Sequence, residues 1–240
     1  MADTKISALT ELTGPNVAIA TDVVPIVDTS VTTTKKVLIS NLLGAAYTAA
    51  GDINQASAAG VAARLGIGTA RQVPMVNAGA TALAYLNPIT LATEQASTAG
   101  TSIDFTSIPA NVRRITIMFV EVSTNGTSDY LIQIGDSGGI ETTGYTSTCQ
   151  TSGGTAVTST AGFIVTNGPT ASDVHSGAIT LHLEDSSDNT WVSTSLLTRP
   201  NNVNLAAGSK ATSATLDRVR ITTVNGTAVF DAGAINISYE

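Results

Sequence analysis

Apolar and polar residues alternate with a period of two through much of the second half of the chain. In Arg114-Ile-Thr-Ile-Met-Phe-Val-Glu121, the side chains of Ile115, Ile117 and Phe119 share one face. The pattern returns in Asp129-Tyr-Leu-Ile-Gln-Ile134, Arg218-Val-Arg-Ile-Thr222 and Ala234-Ile-Asn-Ile-Ser-Tyr239. In Ala178-Ile-Thr-Leu-His-Leu-Glu184, Ile179, Leu181 and Leu183 point one way, and Thr180, His182 and Glu184 the other. A period of two predicts half-buried strands. Asn-Gly dipeptides at Asn125-Gly126, Asn167-Gly168 and Asn225-Gly226 predict tight hairpin turns, because both residues tolerate positive φ. About eight to ten short strands punctuated in this way predict an antiparallel, jelly-roll-like β-sandwich over residues 99–240.

The pattern is weaker upstream. Asp22-Val-Val-Pro-Ile-Val-Asp28 and Lys35-Lys-Val-Leu-Ile39 read as two strands joined by a turn over Thr29–Thr34. Ser40 is placed to cap a short helix through Leu42, Leu43 and Ala46, and Ile6, Leu9 and Leu12 are spaced apolar positions before the hairpin. One hairpin and a turn of helix bury too little surface to stand alone, so residues 1–50 are expected to need a partner. Between 51 and 98 the Ala-rich stretch Asn54–Leu65 predicts a short helix ended near Gly66. The small-residue segments Leu65–Val73 and Val76–Leu83 then suit either a narrow stalk shared by several chains or a loose linker.

Composition narrows the functional classes. Charged residues make up 12% of the 240 and the formal net charge is −7. The basic residues are thinly spread, with no cluster beyond Lys35-Lys36 and Arg113-Arg114. A nucleic acid or an anionic membrane calls for a concentrated basic surface, so neither is an expected partner. The single Cys149 allows no intrachain disulfide and no Cys-based zinc site. No apolar run is long enough for a membrane-spanning helix or a signal peptide, so synthesis in a cytoplasm is expected.

Several motifs touch on chemistry. Gly135-Asp-Ser-Gly-Gly139 spells the surroundings of a trypsin-like nucleophile, but both histidines, His175 and His182, follow Ser137, whereas that family places its base upstream. A Gly-rich turn is the expected reading. The two histidines are seven positions apart, which puts them on opposite faces of a strand, and both are expected to be surface polar residues. Glu184-Asp-Ser-Ser-Asp-Asn189 lacks the spacing of a calcium loop and reads as a hairpin turn. Cys149 has no basic neighbour to activate it. Acids are sparse in the β-domain and aromatics make up 4% of the chain, which does not suggest a glycosidase cleft. No catalytic residue, metal or cofactor is expected.

Three segments resemble bacteriophage fibre proteins. Thr4-Lys-Ile-Ser-Ala-Leu-Thr-Glu-Leu-Thr13, Val24-Pro-Ile-Val-Asp28 and Lys35-Lys-Val-Leu-Ile-Ser40 resemble the N-terminal attachment segment of phage tail-fibre and virion proteins. Ala63–Val73 with Val76-Asn-Ala-Gly-Ala80 is similar to the neck between their modules. Ile103–Pro109, Arg114–Phe119, Gly135–Tyr145, Leu216–Thr222 and Ile235–Glu240 resemble a C-terminal domain shared among such fibres.

The resemblance implies a homotrimer in the virion, with residues 1–50 on the tail or capsid and residues 99–240 outward. It implies anchoring through Ile6, Leu9, Leu12, Val24, Ile26 and Val27. It also implies contact with a host receptor or glycan through distal loops at Asn125, Asn167, Asp185, Asp188 and Asn189. With so short a neck, a head fibre or capsid decoration protein stands beside the tail fibre, and a polysaccharide-degrading spike is a further alternative.

Overall fold

A computed structural model describes residues 23–28, 33–38, 49–58 and 61–240. Every regular element among them is an antiparallel β-strand. The chain divides into two units, residues 1–88 and 89–240.

The described part of the first unit consists of three separate hairpins. These are β1 (Val23–Asp28) with β2 (Thr33–Leu38), β3 (Ile53–Ala58) with β4 (Val61–Leu65), and β5 (Val73–Val76) with β6 (Leu83–Leu86). The first is the hairpin expected from the apolar runs, and it pairs Val24 with Val37 and Ile26 with Lys35. The helix expected after Ser40 lies outside the described residues.

The helix expected over Asn54–Leu65 is instead the β3–β4 hairpin, with Ile53 opposite Leu65 and Ala56 opposite Ala62. Alanine's helix propensity is a weak prior, and Gly60 in mid-segment costs a helix about 1 kcal/mol. Asp52 braces this hairpin: its Oδ1 accepts the Ile67 N–H at 3.1 Å and its Oδ2 accepts Arg64 Nη1 at 3.0 Å. Gln55 Oε1 accepts the Leu83 N–H at 3.0 Å.

The second unit begins at Ile89, earlier than the boundary expected at 99. The reason is that β7 (Thr90–Leu91) and β8 (Gln95–Ala96) both pair with the last strand, β20 (Phe230–Tyr239). Between them run β9 (Ile103–Phe105), β10 (Arg114–Thr124), β11 (Tyr130–Asp136), β12 (Gly139–Ile140), β13 (Thr146–Thr151) and β14 (Val157–Ser159). Next come β15 (Phe163–Ile164), β16 (His175–Asp185), β17 (Thr190–Arg199), β18 (Asn202–Ala211) and β19 (Arg218–Thr223). A nine-stranded sheet has the order β14-β13-β18-β17-β16-β10-β20-β7, with β8 also on β20. A five-stranded sheet has the order β12-β11-β19-β9, with β15 also on β11.

One buried apolar cluster draws on both sheets. The larger sheet supplies Ile115, Ile117, Phe119, Ile179, Leu181, Leu197, Ile235 and Ile237, and the smaller supplies Ile132, Ile134, Val219 and Ile221. Apart from Leu197, these residues lie in the segments whose alternation predicts strands. Burial of each such side chain is worth about 1.5–3 kcal/mol, which makes this cluster the main source of stability. Strand β11 departs from the half-buried reading, because all seven of its residues are buried. Tyr130, Ile132 and Ile134 enter the main cluster, and Leu131 joins a second, smaller one with Cys149 and Ile164.

Strand directions sort the connections of this unit to two ends. The chain enters at Ile89, beside Glu240, where Thr90 pairs with Tyr239 and the Arg113 N–H bonds the Glu240 carbonyl at 2.7 Å. The turns Ser137–Gly138 and Ser186–Asn189 lie at this near end. The crossovers β10–β11, β15–β16 and β19–β20 lie at the far end, and each passes from one sheet to the other.

Strand β10 reaches the far end through a bulge between Val120 and Ser123, with Glu121 at φ 52°. Opposite it, Gly233 has φ 88°, and a Cβ there would lie 2.4 Å from the Val120 and Glu121 carbonyl oxygens. Gly226 also has positive φ but stands in open space. Gly233→Ala is therefore expected to destabilise the unit by about 2–4 kcal/mol and Gly226→Ala by only about 1 kcal/mol. Urea unfolding followed by the fluorescence of Trp191 measures both, and equal losses would contradict this account of the bulge.

Candidate functional site

The far end holds a cluster of polar side chains bonded to the crossover backbone. At its centre is Arg199, the last residue of β17, which the two-residue loop Pro200-Asn201 separates from β18. Proline at the first loop position and Asn201 at φ 60° suit a type II turn. The guanidinium reaches into the β15–β16 crossover. Nη1 donates to the Asn167 carbonyl at 2.9 Å, and Nη2 donates to the Gly168 carbonyl at 3.2 Å and to Asp173 Oδ2 at 2.7 Å. One planar cation thus satisfies three acceptors of a segment that has no ladder partner.

Two more side chains hold the same crossover. Asp129 Oδ1 accepts the Gly168 N–H at 2.7 Å, and Asn204 Oδ1 accepts the Asn167 N–H at 3.2 Å and the Thr151 hydroxyl at 3.0 Å. Burial pushes the Asp129 carboxyl up, against the opposing pull of Gly168, Thr166 and Arg199. Burial also works against ionisation of Asp173, but the Thr170 bonds and the Arg199 charge outweigh it and hold that carboxyl below its usual range.

His175 sits beneath this cluster, fully buried, with its ring edge-on to Tyr130 at a centroid separation of 5.1 Å. Its Nδ1 lies 2.9 Å from the Thr198 carbonyl, and its Nε2 has no hydrogen-bond partner among the described residues. The surface position expected for His175 is thus corrected: on β16 it takes the inward phase, with Ile179 and Leu181. His182, seven residues on, is exposed, as the opposite-face reading requires.

The three Asn-Gly pairs occupy the far end, but they are not the tight hairpins expected. Each connects strands of different sheets, and positive φ occurs at Gly168 and Gly226 but at none of the three asparagines. The asparagine side chains bond the backbone instead. Asn225 Oδ1 accepts the Thr227 and Ala228 N–H groups at 3.0 and 3.1 Å. Asn125 Oδ1 accepts the Val229 N–H at 2.9 Å while the Asn125 N–H donates to the Val229 carbonyl at 2.9 Å. The β10–β11 and β19–β20 crossovers are bonded to each other in this way, and the Asn225 N–H adds a bond to Ser128 Oγ at 3.0 Å.

The candidate contact residues therefore fall into two groups. Asn125 and Asn167 both lie at the far end. Asp185, Asp188 and Asn189 lie in the β16–β17 turn at the near end, where the Ser187 N–H donates to Asp185 Oδ1 at 2.7 Å and the Thr190 N–H to Asp188 Oδ1 at 3.0 Å. That is a hairpin turn, as its composition suggested. Of the candidate anchoring residues, Val24, Ile26 and Val27 lie on β1, and Ile6, Leu9 and Leu12 are outside the described residues.

The remaining chemistry-bearing residues have structural settings. Ser137 is exposed in the near-end turn, where Asp136 Oδ1 accepts the Gly138 N–H at 2.7 Å, and buried His175 belongs to the opposite end. Burial pushes the Cys149 thiol up to about 12. Among the described residues no group of three or more His, Cys, Asp or Glu could hold a metal ion. A pocket of about 30 Å³ between Ile89, Arg114, Thr116, Ser238, Tyr239 and Glu240 is on the scale of a bound water. No protein family, no curated protein and no solved structure matches the chain.

Sequence reasoning missed Asp129, Asp173, Arg199 and Asn204. The only local signal was the turn-forming run Pro200-Asn201-Asn202 after Arg199.

His175 gives the unit a pH dependence. Burial lowers the imidazole below its ordinary value of 6.5, against the opposing effects of the Thr198 carbonyl and Asp173. The unfolded chain takes up a proton near 6.5, where the folded one still resists it. The unfolded state therefore binds more protons below that pH, and stability falls as pH drops through it. Thermal melts from pH 8 to pH 5 are expected to show this loss, and His175→Gln to flatten it. A wild-type melting temperature that stays constant over that range would contradict the account.

Proposed function

We propose that the chain is a non-enzymatic structural component of a bacteriophage virion. In this reading it is a homotrimeric, fibre-like appendage, held to the particle by its N-terminal part and projecting residues 89–240 towards the host. In this reading the projecting unit is a two-layer β-sandwich whose chain switches between the sheets at both ends, as in jelly-roll and Greek-key folds.

The observation that carries the proposal is the contrast between the two units. Residues 89–240 enclose their own core, whereas none of residues 49–58 and 63–88 is buried. Ile67 and Val76 are each 60% exposed, and Val73, Met75, Leu83 and Leu86 also stand in solvent. Isolated two-stranded hairpins are marginal at best in water. Copies of the chain set side by side would give these apolar residues the cover that they lack among the described residues. A stem that orders on assembly, followed by a self-sufficient head, is the economy of a virion appendage.

In this reading the far end, remote from the entry at Ile89, faces the host, so Asn125 and Asn167 remain candidate contacts and the turn Asp185–Asn189 does not. The hydrogen-bonding groups there are fixed on a braced scaffold, which suits recognition by shape and amide chemistry.

The shortness of the stem supports a second placement, as a head fibre or capsid decoration protein. A polysaccharide-degrading spike is less well supported, because several carboxylates are engaged in ion pairs: Asp173 with Arg199, Glu141 with Lys210, Asp104 with Arg220 and Asp217 with Arg218.

Sedimentation equilibrium is expected to find a trimer for the full chain and a folded monomer for residues 89–240 alone. A monomeric full chain, or a truncated form that stays trimeric, would sink the stem assignment. Heat challenge and adsorption assays of particles lacking the protein separate the two placements: lost adsorption marks a fibre, and lost capsid stability a decoration protein.

A further inference from the structure

The three Asn-Gly pairs share one end of the unit and one dipeptide chemistry, but the fold treats them unequally. An Asn-Gly pair can deamidate without an enzyme. The lone pair of the glycine nitrogen attacks the asparagine Cγ, and the N–H proton passes to a base in solution. Nδ2 takes up a proton from solvent, the Cγ–Nδ2 bond breaks and ammonia leaves, so a five-membered imide forms. Water then opens the imide to aspartate or to isoaspartate. Overall, one amide and one water give one carboxylic acid and one ammonia. The reaction needs a glycine N–H free to lose its proton and a carboxamide free to turn.

At Asn167 both requirements are blocked. The Gly168 N–H donates to Asp129 Oδ1 at 2.7 Å, and Asn167 Nδ2, the leaving group, donates to the Thr155 carbonyl at 2.6 Å. At Asn225 the Gly226 N–H donates to the Thr223 carbonyl at 3.0 Å, and Oδ1 is fixed by the Thr223 hydroxyl at 2.9 Å as well as by Thr227 and Ala228.

Asn125 differs. It is exposed, and neither its Nδ2 nor the Gly126 N–H meets an acceptor among the described residues. Its one side-chain bond is accepted by Oδ1 from the Val229 N–H at 2.9 Å. That single bond leaves Nδ2 unheld and the carboxamide freer to turn than at Asn225, where three donors hold Oδ1.

We propose that Asn125-Gly126 is the deamidation site of this protein and that the fold shields Asn167 and Asn225. Modification places a new carboxylate at the far end. In the isoaspartate product it also lengthens the main chain of the β10–β11 crossover by one methylene.

The test is to incubate the full chain in mildly alkaline buffer at 37 °C and map the amide-to-acid mass gain by peptide mass spectrometry. Freeing a bonded N–H should slow conversion about fivefold at Asn225 and about tenfold or more at Asn167, where the acceptor is charged, relative to Asn125. In urea the three sites should convert at similar rates, which shows that the fold makes the difference. Asn125→Gln should remove the earliest product, and Asp129→Ala should raise conversion at Asn167. Earliest conversion at Asn167 or Asn225, equal rates at all three sites in the folded protein, or no conversion at Asn125 while the unfolded chain converts would each overturn the proposal.

Discussion

A core shared by two sheets requires the chain to cross repeatedly from one sheet to the other, and each crossing leaves backbone groups without ladder partners. In residues 89–240 four such crossings, β8–β9, β10–β11, β15–β16 and β19–β20, lie at one end. Buried or half-buried N–H and C=O groups left unpaired there would each cost about 1–3 kcal/mol. Arg199, Asp129, Asn204 and Asn125 meet that demand with side chains that reach the backbone of a crossover other than their own segment, and Asn225 does so within its own crossover. The apolar cluster supplies the driving force, and these bonds allow the chain to close around it.

The same demand explains the polar residues in the interior. His175 is taken inward by the phase of β16, bonds the Thr198 carbonyl through one nitrogen and leaves the other unpaired. Burial of a titratable ring beside the Asp173–Arg199 pair ties the integrity of the far end to pH. Asparagine has a double role at this end. Its carboxamide closes turns by bonding backbone N–H groups, and the glycine after it leaves the local chain open to a slow chemical change wherever those bonds are missing.

The first unit is governed by the opposite condition. Among the described residues its hairpins have strand-forming residues but no second layer, so Val73, Val76 and Leu83 stay exposed. The proposal of an assembled stem follows from that deficit. It also accounts for a surface poor in charge, since acidic copies associate with less mutual repulsion through uncharged segments.

The sequence by itself determined the β class, the strands around Ile117, Ile132, Ile179, Ile221 and Ile237, and the inward face of most of them. Alternation with a period of two has one physical meaning wherever one face is buried. It also determined that 184–189 is a turn and that Ser137 lies in a Gly-rich one. Only the tertiary structure decided which strands pair and which ends meet. Asn125 and Asp185 look alike as loop residues, yet they lie at opposite ends because strand direction separates them. The role of Arg199 depends on a crossover more than twenty-five residues upstream in the chain. The Ala-rich segment at 54–65 became a hairpin because helix propensity is worth only tenths of a kcal/mol per residue and gives way to pairing. Local pattern sets the face a residue shows. Which residues meet at a site is set by long-range pairing, which no short window of sequence contains.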